Sequence, residues 1–511
     1  MERQIPIGAA EVINGGEIVL GLVARVGVNL QYIQDLITEN MNKYGYRTIS
    51  IRVSKLMHDY LENLSDDGYA NEYERIIAYM DAGDAIRRQT GRDDAMAIAA
   101  MVEIARNRDE DEPKSASIIR SLKHPDEIFT MRSVYQTGFF LLGVNSSKTT
   151  CIDQLRHGMN MDKEKAQELV DRDEGDEEHG QNTTKTFQMA DAYVNADSPS
   201  VRHDICRIIA VLFGDYTITP TKDEWAMYLA FAASTRSAEL SRQVGASLLD
   251  SNDNLIAVGA NEVPCAGGGL YWNDHEELNR DMERGFDANE KEKEKIIWKI
   301  MEAVSKIDAS IEEDNEQASQ SRDETESQKE PTNLERAKEI LSSTGILHIT
   351  EYGRSVHAEM DALTTCIRTG ASALGGKLYV TTFPCHNCAK HIVASGIKEV
   401  VYIEPYPKSK AFSLHSDSIA ETPNGSKVWF RAFTGIGPRR YFDLFSLKHG
   451  SGYSIERKEK GRLKRWIATD ATFRTPMARG SYIENEEKMV YILDESYRAI
   501  SGDSGEVKEE E

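Results

Sequence analysis

Short apolar runs alternate with helical spacing along most of the chain. Glu17-Ile-Val-Leu-Gly-Leu-Val-Ala-Arg-Val-Gly27 reads as a buried strand running into a glycine turn, and Leu30, Ile33, Leu36 and Ile37 then repeat at the spacing of one helix face. Arg47-Thr-Ile-Ser-Ile-Arg-Val53 predicts a second strand, and helical patterning fills most of the region from about 70 to 140. Strand, helix, strand in this order implies an α/β unit with a parallel sheet. The tract Asp171 to Gly180, DRDEGDEEHG, is too acidic and glycine-spaced for a core and reads as a mobile loop.

Turn residues at Thr217 to Lys222 mark a boundary. Beyond it the pattern predicts a helix from about Glu224 to Gln243, then a β-hairpin from Val244–Leu249 and Leu255–Gly259 around the turn Asp250 to Asn254. From about 272 to 345 Glu, Lys, Asp, Ser and Gln dominate, most strongly from Ile311 to Thr332, so this is an insertion, part helix and part disorder. Alternation then resumes with a helix from His357, a strand Lys377–Thr382, a helix from Cys385 and a strand Glu399–Ile403. The last residues, SGDSGEVKEEE, read as a solvated tail, and no internal repeat stands out.

Length and charge narrow the function. At 511 residues the chain suggests two to four domains, on a prior of roughly 150 residues each. A formal net charge of -23 disfavours polyanionic DNA or RNA as a default ligand, because such binding begins with Lys and Arg displacing counterions; a small nucleotide needs only a local basic pocket. No apolar run reaches the roughly 18 residues of a membrane span, so no membrane partner is expected. The start, MERQIPIGAAEV, lacks the basic and apolar pattern of a secretion signal, and a cytoplasmic location is expected. Cys151, Cys206, Cys265 and Cys366 stand alone, as in a reducing compartment, which makes the close pair Cys385 and Cys388 a metal or redox site rather than a disulfide framework.

That pair carries the chemistry. Cys-x-x-Cys on the first turn of a helix aims two thiolates at one ion, and His357 upstream makes three protein ligands for Zn2+, leaving a tetrahedral position open as catalytic sites do. Glu359 need not be a ligand; a carboxylate beside a metal-activated water is a general base and acid in one residue. His386, between the cysteines, is expected to point outward. His357-Ala-Glu359 with Pro384-Cys-His-Asn-Cys388 fits H-x-E…P-C-x-x-C, the signature of zinc deaminases acting on cytosine or adenine.

The block around this motif resembles deoxycytidylate deaminase. By that resemblance Asn261, in Gly259-Ala-Asn-Glu-Val-Pro264, would hydrogen-bond the sugar hydroxyl, and Tyr406, in Val401-Tyr-Ile-Glu-Pro-Tyr406, would pack on base or sugar. Nearly the whole chain resembles the bacterial antiphage dCTP deaminases, including Ser121-Leu-Lys-His-Pro125, Gly138-Phe-Phe-Leu-Leu-Gly-Val144, and Gly180-Gln-Asn182 to Ala190-Asp191. The resemblance implies a P-loop kinase-like parallel-sheet domain at 1–215 and a cytidine-deaminase-like α/β/α domain at 216–425 with the long insertion. An extension of the deaminase at 426–500 and a disordered tail at 501–511 complete the expected layout. It also implies conversion of deoxycytidine nucleotides (dCTP, dCMP or both) to deoxyuridine nucleotides, which depletes dCTP during infection. A homo-oligomer and control by a regulatory nucleotide, an RNA or a phage-derived signal are the implied partners.

The glycine turn departs from a working P-loop. Gly21 and Gly27 enclose five residues rather than four and are followed by Val28 and Asn29, not Lys and Ser or Thr, so kinase activity is not expected. Nucleotide binding through Gly21, Gly27 and Arg25, the nearby cation, stays open beside a purely structural role. For the substrate's phosphates the candidates are Lys408, Arg439 and Arg440, with Lys410 and Arg431 nearby. Two other readings compete: a single-stranded nucleic-acid cytosine deaminase, which would want a basic aromatic groove, and a non-catalytic nucleotide sensor with structural zinc, in which Glu359 would be dispensable. The insertion separates the Asn261 loop from the His357 helix and is expected to act as a lid or an assembly surface.

Overall fold

The computed structural model describes residues 16–501 except 62–63, 65–67, 110, 113, 176–179, 317–337, 339, 342–351, 407–408, 424 and 478. The chain packs as two compact units. The first comprises the described residues up to Tyr228, Ile403–Pro405 and those from Ala432 onward; the second is Leu229–Tyr402 with Tyr406–Arg431.

In the first unit β1 (Ile18–Ala24) is buried at every position, as a strand covered on both faces by helices must be. It leads into α1 (Leu30–Lys43), whose N-cap Asn29 accepts from the Tyr32 amide at 3.1 Å. β2 (Arg47–Arg52), β3 (Ser115–Arg120) and β4 (Phe139–Asn145) follow, then the helix α2 (Lys163–Asp173), β5 (Ala192–Asn195) and α3 (Val201–Leu212). The five strands are parallel in the order β2-β3-β1-β4-β5. Leu22, Ile33, Ile37, Phe140, Ile205 and Ile209 meet between sheet and helices in the core.

In the second unit α4 (Lys222–Ser234), which begins in the first, is followed by the antiparallel hairpin β6 (Gly245–Leu249) and β7 (Leu255–Ala260). Then come α5 (Ala288–Glu316), α6 (Ala358–Thr369), β8 (Lys377–Thr382), α7 (His386–Ala394), β9 (Glu399–Glu404), β10 (Ile419–Ala420) and β11 (Val428–Ala432). These strands form a mixed sheet in the order β7-β6-β8-β9-β11-β10, with β6 antiparallel to β8. Leu248, Ala362, Val380, Ile392 and Val400 form its core.

The chain then returns to the first unit, where β12 (Gly435–Ile436) pairs antiparallel with β5 and α8 (Arg479–Ser501) closes the described chain. Glu224, wholly buried, fixes this return: it accepts from the Ile436 amide at 2.7 Å, the Thr221 amide at 2.7 Å and Arg207 at 2.6 and 2.7 Å.

The mixed α/β class is as expected, and four details differ. The division falls after Tyr228, not 215, and residues from Ala432 pack with the first unit rather than extending the second, because β12 extends the parallel sheet. The helix expected to reach Gln243 ends at Ser234: a Cβ on Gly245 would lie 1.9 Å from the Ala230 carbonyl oxygen, so β6 crosses where further turns would run. Asp171 to Asp173 are the last turn of α2 rather than a loop, and Asp173 is fully buried. The insertion holds the long helix α5, while the tail and most of the stretch from Ile311 to Thr332 lie outside the described residues.

Candidate metal centre and catalytic pocket

Two helix N-termini converge on one point. His357 is the N-cap of α6 and Cys385 the N-cap of α7, both with extended backbone, and Cys388 sits in the first turn of α7. The bridge between Glu262 and Val356, with amide-to-carbonyl distances of 3.2 and 3.0 Å, ties the loop after β7 to the residue before His357. Buried Glu262 accepts from the Ala238 amide at 2.9 Å and anchors the same junction.

His357 Nδ1 lies 3.4 Å from the sulfur of Cys385 and 3.4 Å from that of Cys388. Tetrahedral Zn2+ with bonds of about 2.0 Å to nitrogen and 2.3 Å to sulfur places N and S about 3.5 Å apart, so the donor set and its spacing fit zinc. A hydrogen bond from Cys388 holds the Cys385 thiol down at about 4, and the bond to Cys385 raises His357 to about 9. A thiol held low in this way favours its thiolate, the form in which Cys385 would bind a dication. Cys388 is pushed up by its bond to the Cys385 thiolate and by burial. Glu359, 4% exposed, is raised by burial, which suits a group that must take up and release a proton. His386 stands outside the triad of ligating atoms.

The triad opens onto a cavity of about 410 Å³ whose wall includes Asn261, His357, Glu359, Phe383, Cys385 and Tyr406. Asn261 is held there by its own amide group, which donates to the Arg242 carbonyl at 2.8 Å and accepts from the Val244 amide at 2.7 Å. Tyr406 lies under the Arg242 guanidinium, 5.8 Å from ring centroid to carbon. Three cations on this wall were not among the sequence candidates: Arg242, and from the insertion side Lys293 and Arg354. Arg354 sits three residues before His357, a proximity that sequence alone offers; Lys293 is lost among the charges of α5. Both are salt-bridged, Arg354 to Asp281 at 2.6 Å and Lys293 to Glu290 at 2.7 Å.

Of the expected phosphate-gripping residues, Lys408 lies outside the described residues, and Arg439 and Arg440 belong to the first unit and do not line this cavity. Arg440 is buried, donating to the Thr137 carbonyl at 2.7 Å and Thr475 at 3.2 Å. In the first unit Gly21 is a packing glycine inside β1, where a Cβ would meet Leu122 and Phe139 at 2.7 and 2.9 Å. Gly27, at φ +91, makes the turn, and Arg25 is bound to Glu174 at 2.6 Å and the Ser146 carbonyl at 3.0 Å. None of the described helices is long and apolar enough to cross a membrane.

Residues 220–404 match the family described as the cytidine and deoxycytidylate deaminase zinc-binding region. The deoxycytidylate deaminase of Enterobacteria phage T2 is 49% identical over 55 residues, which are 11% of this chain and 29% of that enzyme. The deoxycytidylate deaminase of Mus musculus is 23% identical over 182 residues, 35% of this chain and 63% of that enzyme. The chain thus spans under a third of the phage relative and under two thirds of the mouse one. Among solved structures, the dCMP deaminase of the cyanophage S-TIM5 aligns over 42% of this chain and 100% of its own, with 17% identity and a TM-score of 0.22. His357, Cys385, Cys388 and Glu359 all lie inside the stretch that is similar to this zinc-binding region.

Proposed function

We propose that the second unit hydrolyses the 4-amino group of deoxycytidine nucleotides, dCMP, dCTP or both, to give deoxyuridine nucleotides and ammonia. The observation that carries this reading is the buried carboxylate of Glu359 beside a three-ligand His and Cys set on the wall of a nucleoside-sized cavity. Zinc held by His357, Cys385 and Cys388 would supply the water with a lowered pKa that such chemistry needs at neutral pH. The chain's own residues supply the rest. Glu359 takes one proton as water adds at C4 of the cytosine and gives it to ring N3, then carries the proton of the new C4 hydroxyl to the exocyclic nitrogen, so that the C4–N bond breaks, C4=O forms and ammonia leaves. Asn261 and Tyr406 orient the sugar and base from the same wall.

The phosphates fall to Arg242, Lys293 and Arg354, with the substrate competing for the last two against Glu290 and Asp281. This gives the insertion a role in substrate choice, since its helix α5 supplies Lys293, one of the three cations. Depletion of dCTP is the route by which such an enzyme would restrict a phage. The test is ammonia release from dCMP, dCTP, CMP, CTP and a single-stranded oligonucleotide. Turnover of a deoxynucleotide supports the reading, while turnover of the oligonucleotide alone would transfer the site to polynucleotide editing. In cells, wild type should lower dCTP and phage yield and the Glu359→Ala chain should do neither; equal protection by that variant would make catalysis irrelevant to defence.

A further inference from the structure

We propose that Glu239 makes the cavity selective for a free 3′-hydroxyl: its carboxylate accepts the hydrogen bond of that hydroxyl and repels a phosphate in its place, so that single nucleotides enter and polynucleotide chains do not. The inference rests on the deoxycytidine nucleotide reading above and adds to it the residue that decides which sugars fit.

The carboxylate is held in place by the chain around it. Between α4 and β6 the segment Ser237–Val244 is neither helix nor strand, yet it is tied down along its length. The Ser237 hydroxyl donates to the Asn261 carbonyl at 2.6 Å, the Ala238 amide donates to Glu262 at 2.9 Å, and the Asn261 side chain binds the backbone at Arg242 and Val244. Within this segment the Glu239 carboxylate accepts from the Leu240 amide at 3.3 Å and from the hydroxyl of Ser355, two residues before His357. Glu239, Ser355 and His357 line the same cavity. An ionised carboxylate offers about four lone-pair sites, so these two bonds leave capacity for a ligand.

The hydrogen-bonding groups of the wall call for such an acceptor. Asn261 already donates one N–H to the Arg242 carbonyl, and its oxygen accepts from the Val244 amide. A sugar hydroxyl that accepts from the remaining N–H still has its own proton to donate. The other acids on the wall are engaged elsewhere: Asp281 with Arg354 at 2.6 Å, and Asp287 with the Asn289 and Glu290 amides at 2.7 and 3.0 Å. Glu359 serves proton transfer. Glu239 has no cation within ion-pairing distance among the described residues, so its charge is not offset locally. A phosphate ester on the 3′ oxygen would meet that charge directly, and one fixed carboxylate both favours the hydroxyl and rejects its ester.

Ammonia release and calorimetric binding by the full chain test this with dCMP, 2′,3′-dideoxycytidine 5′-monophosphate and 2′-deoxycytidine 3′,5′-bisphosphate. Binding is read in the Glu359→Ala chain, so that no substrate is consumed. With Glu239 present the 3′-hydroxyl should contribute about 10-fold to 10²-fold in kcat/KM and in affinity, the range of a hydrogen bond to a charged group. In Glu239→Ala that factor should fall to about one. Glu239→Gln keeps the side chain's size and its bonds from Leu240 and Ser355 but not its charge, and it should improve binding of the bisphosphate by about tenfold or more, with unchanged circular dichroism. The same hydroxyl factor with and without Glu239, or no gain for the bisphosphate in Glu239→Gln, would overturn the proposal. A chain that binds with the expected selectivity yet releases no ammonia would refute the deamination reading and still support the role of Glu239.

Discussion

Gly259 makes a close contact directly against the helix that carries Glu359. It lies on β7 against α6, and a Cβ built on it would stand 2.2 Å from the carbonyl oxygen of Ala358 and 2.6 Å from the amide nitrogen of Ala362. Ordinary contact begins at 3.4 Å, so Gly259→Ala forces strand and helix apart by about 1.2 Å, and the atom that must move belongs to the residue between His357 and Glu359. Overpacking of this kind costs about 1–3 kcal/mol, which lowers the melting temperature by a few degrees for a unit of this size. Catalysis is more sensitive, because a displacement of about 1 Å at a positioned group costs on the order of 10²-fold. Ammonia release, bound zinc and thermal unfolding should be measured together, with Gly425→Ala as control, since nothing lies within 4 Å of a Cβ there. A Gly259→Ala protein with wild-type turnover, full zinc and unchanged melting would show that this contact does not set the site's geometry.

Cys385→Ser and Cys388→Ser should each lose zinc, as metal analysis of the purified proteins would reveal; stoichiometric metal in either contradicts the ligand assignment. Glu359→Ala should keep the metal while turnover drops by about 10²-fold to 10⁴-fold, and near-normal ammonia release would place the proton transfer elsewhere. Lys293→Ala and Arg354→Ala should raise KM for nucleotides by about tenfold or more yet leave turnover of the unphosphorylated nucleoside almost unchanged; equal losses on both would deny them the phosphate role. Glu224→Ala should destabilise the first unit by about 3 kcal/mol, read by thermal unfolding, since it strands the Ile436 amide and the Arg207 guanidinium.

The convergence of His357, Cys385 and Cys388 was legible because a shared ion would impose this spacing on sequence: both segments begin helices, and the strand Lys377–Thr382 was delimited to the residue by its turns. The phosphate side was not. Arg439 and Arg440 looked suitable by charge and glycine context, but strand pairing of Gly435 and Ile436 with β5 carries them into the first unit. Charge does not report which wall a residue faces, and Lys293 becomes visible only once α5 is placed beside the cavity. The helix expected through Gln243 failed for a related reason. Its propensity continues past Ser234, yet β6 fills the space and the Gln243 side chain turns back to the Ser237 carbonyl at 2.7 Å. Arg25 seemed to be an isolated cation because Lys123 and Lys148, its neighbours in ion pairing with the end of α2, come from other turns of the sheet.

The late pairing of β12 with β5 has a consequence for synthesis on the ribosome. Tyr193 and Ala192 wait for Gly435 and Ile436, which lie some 240 residues downstream with the entire second unit between them. At about 5–20 residues per second the edge of β5 stays bare for roughly 12–48 s after it emerges. During that interval the nascent chain offers an open hydrogen-bonding edge to any other extended segment, including the same edge on a neighbouring nascent chain. Chains that stop after Arg431 keep that edge for good, so premature termination and slow translation of the second unit are the circumstances in which this protein is most exposed to aggregation.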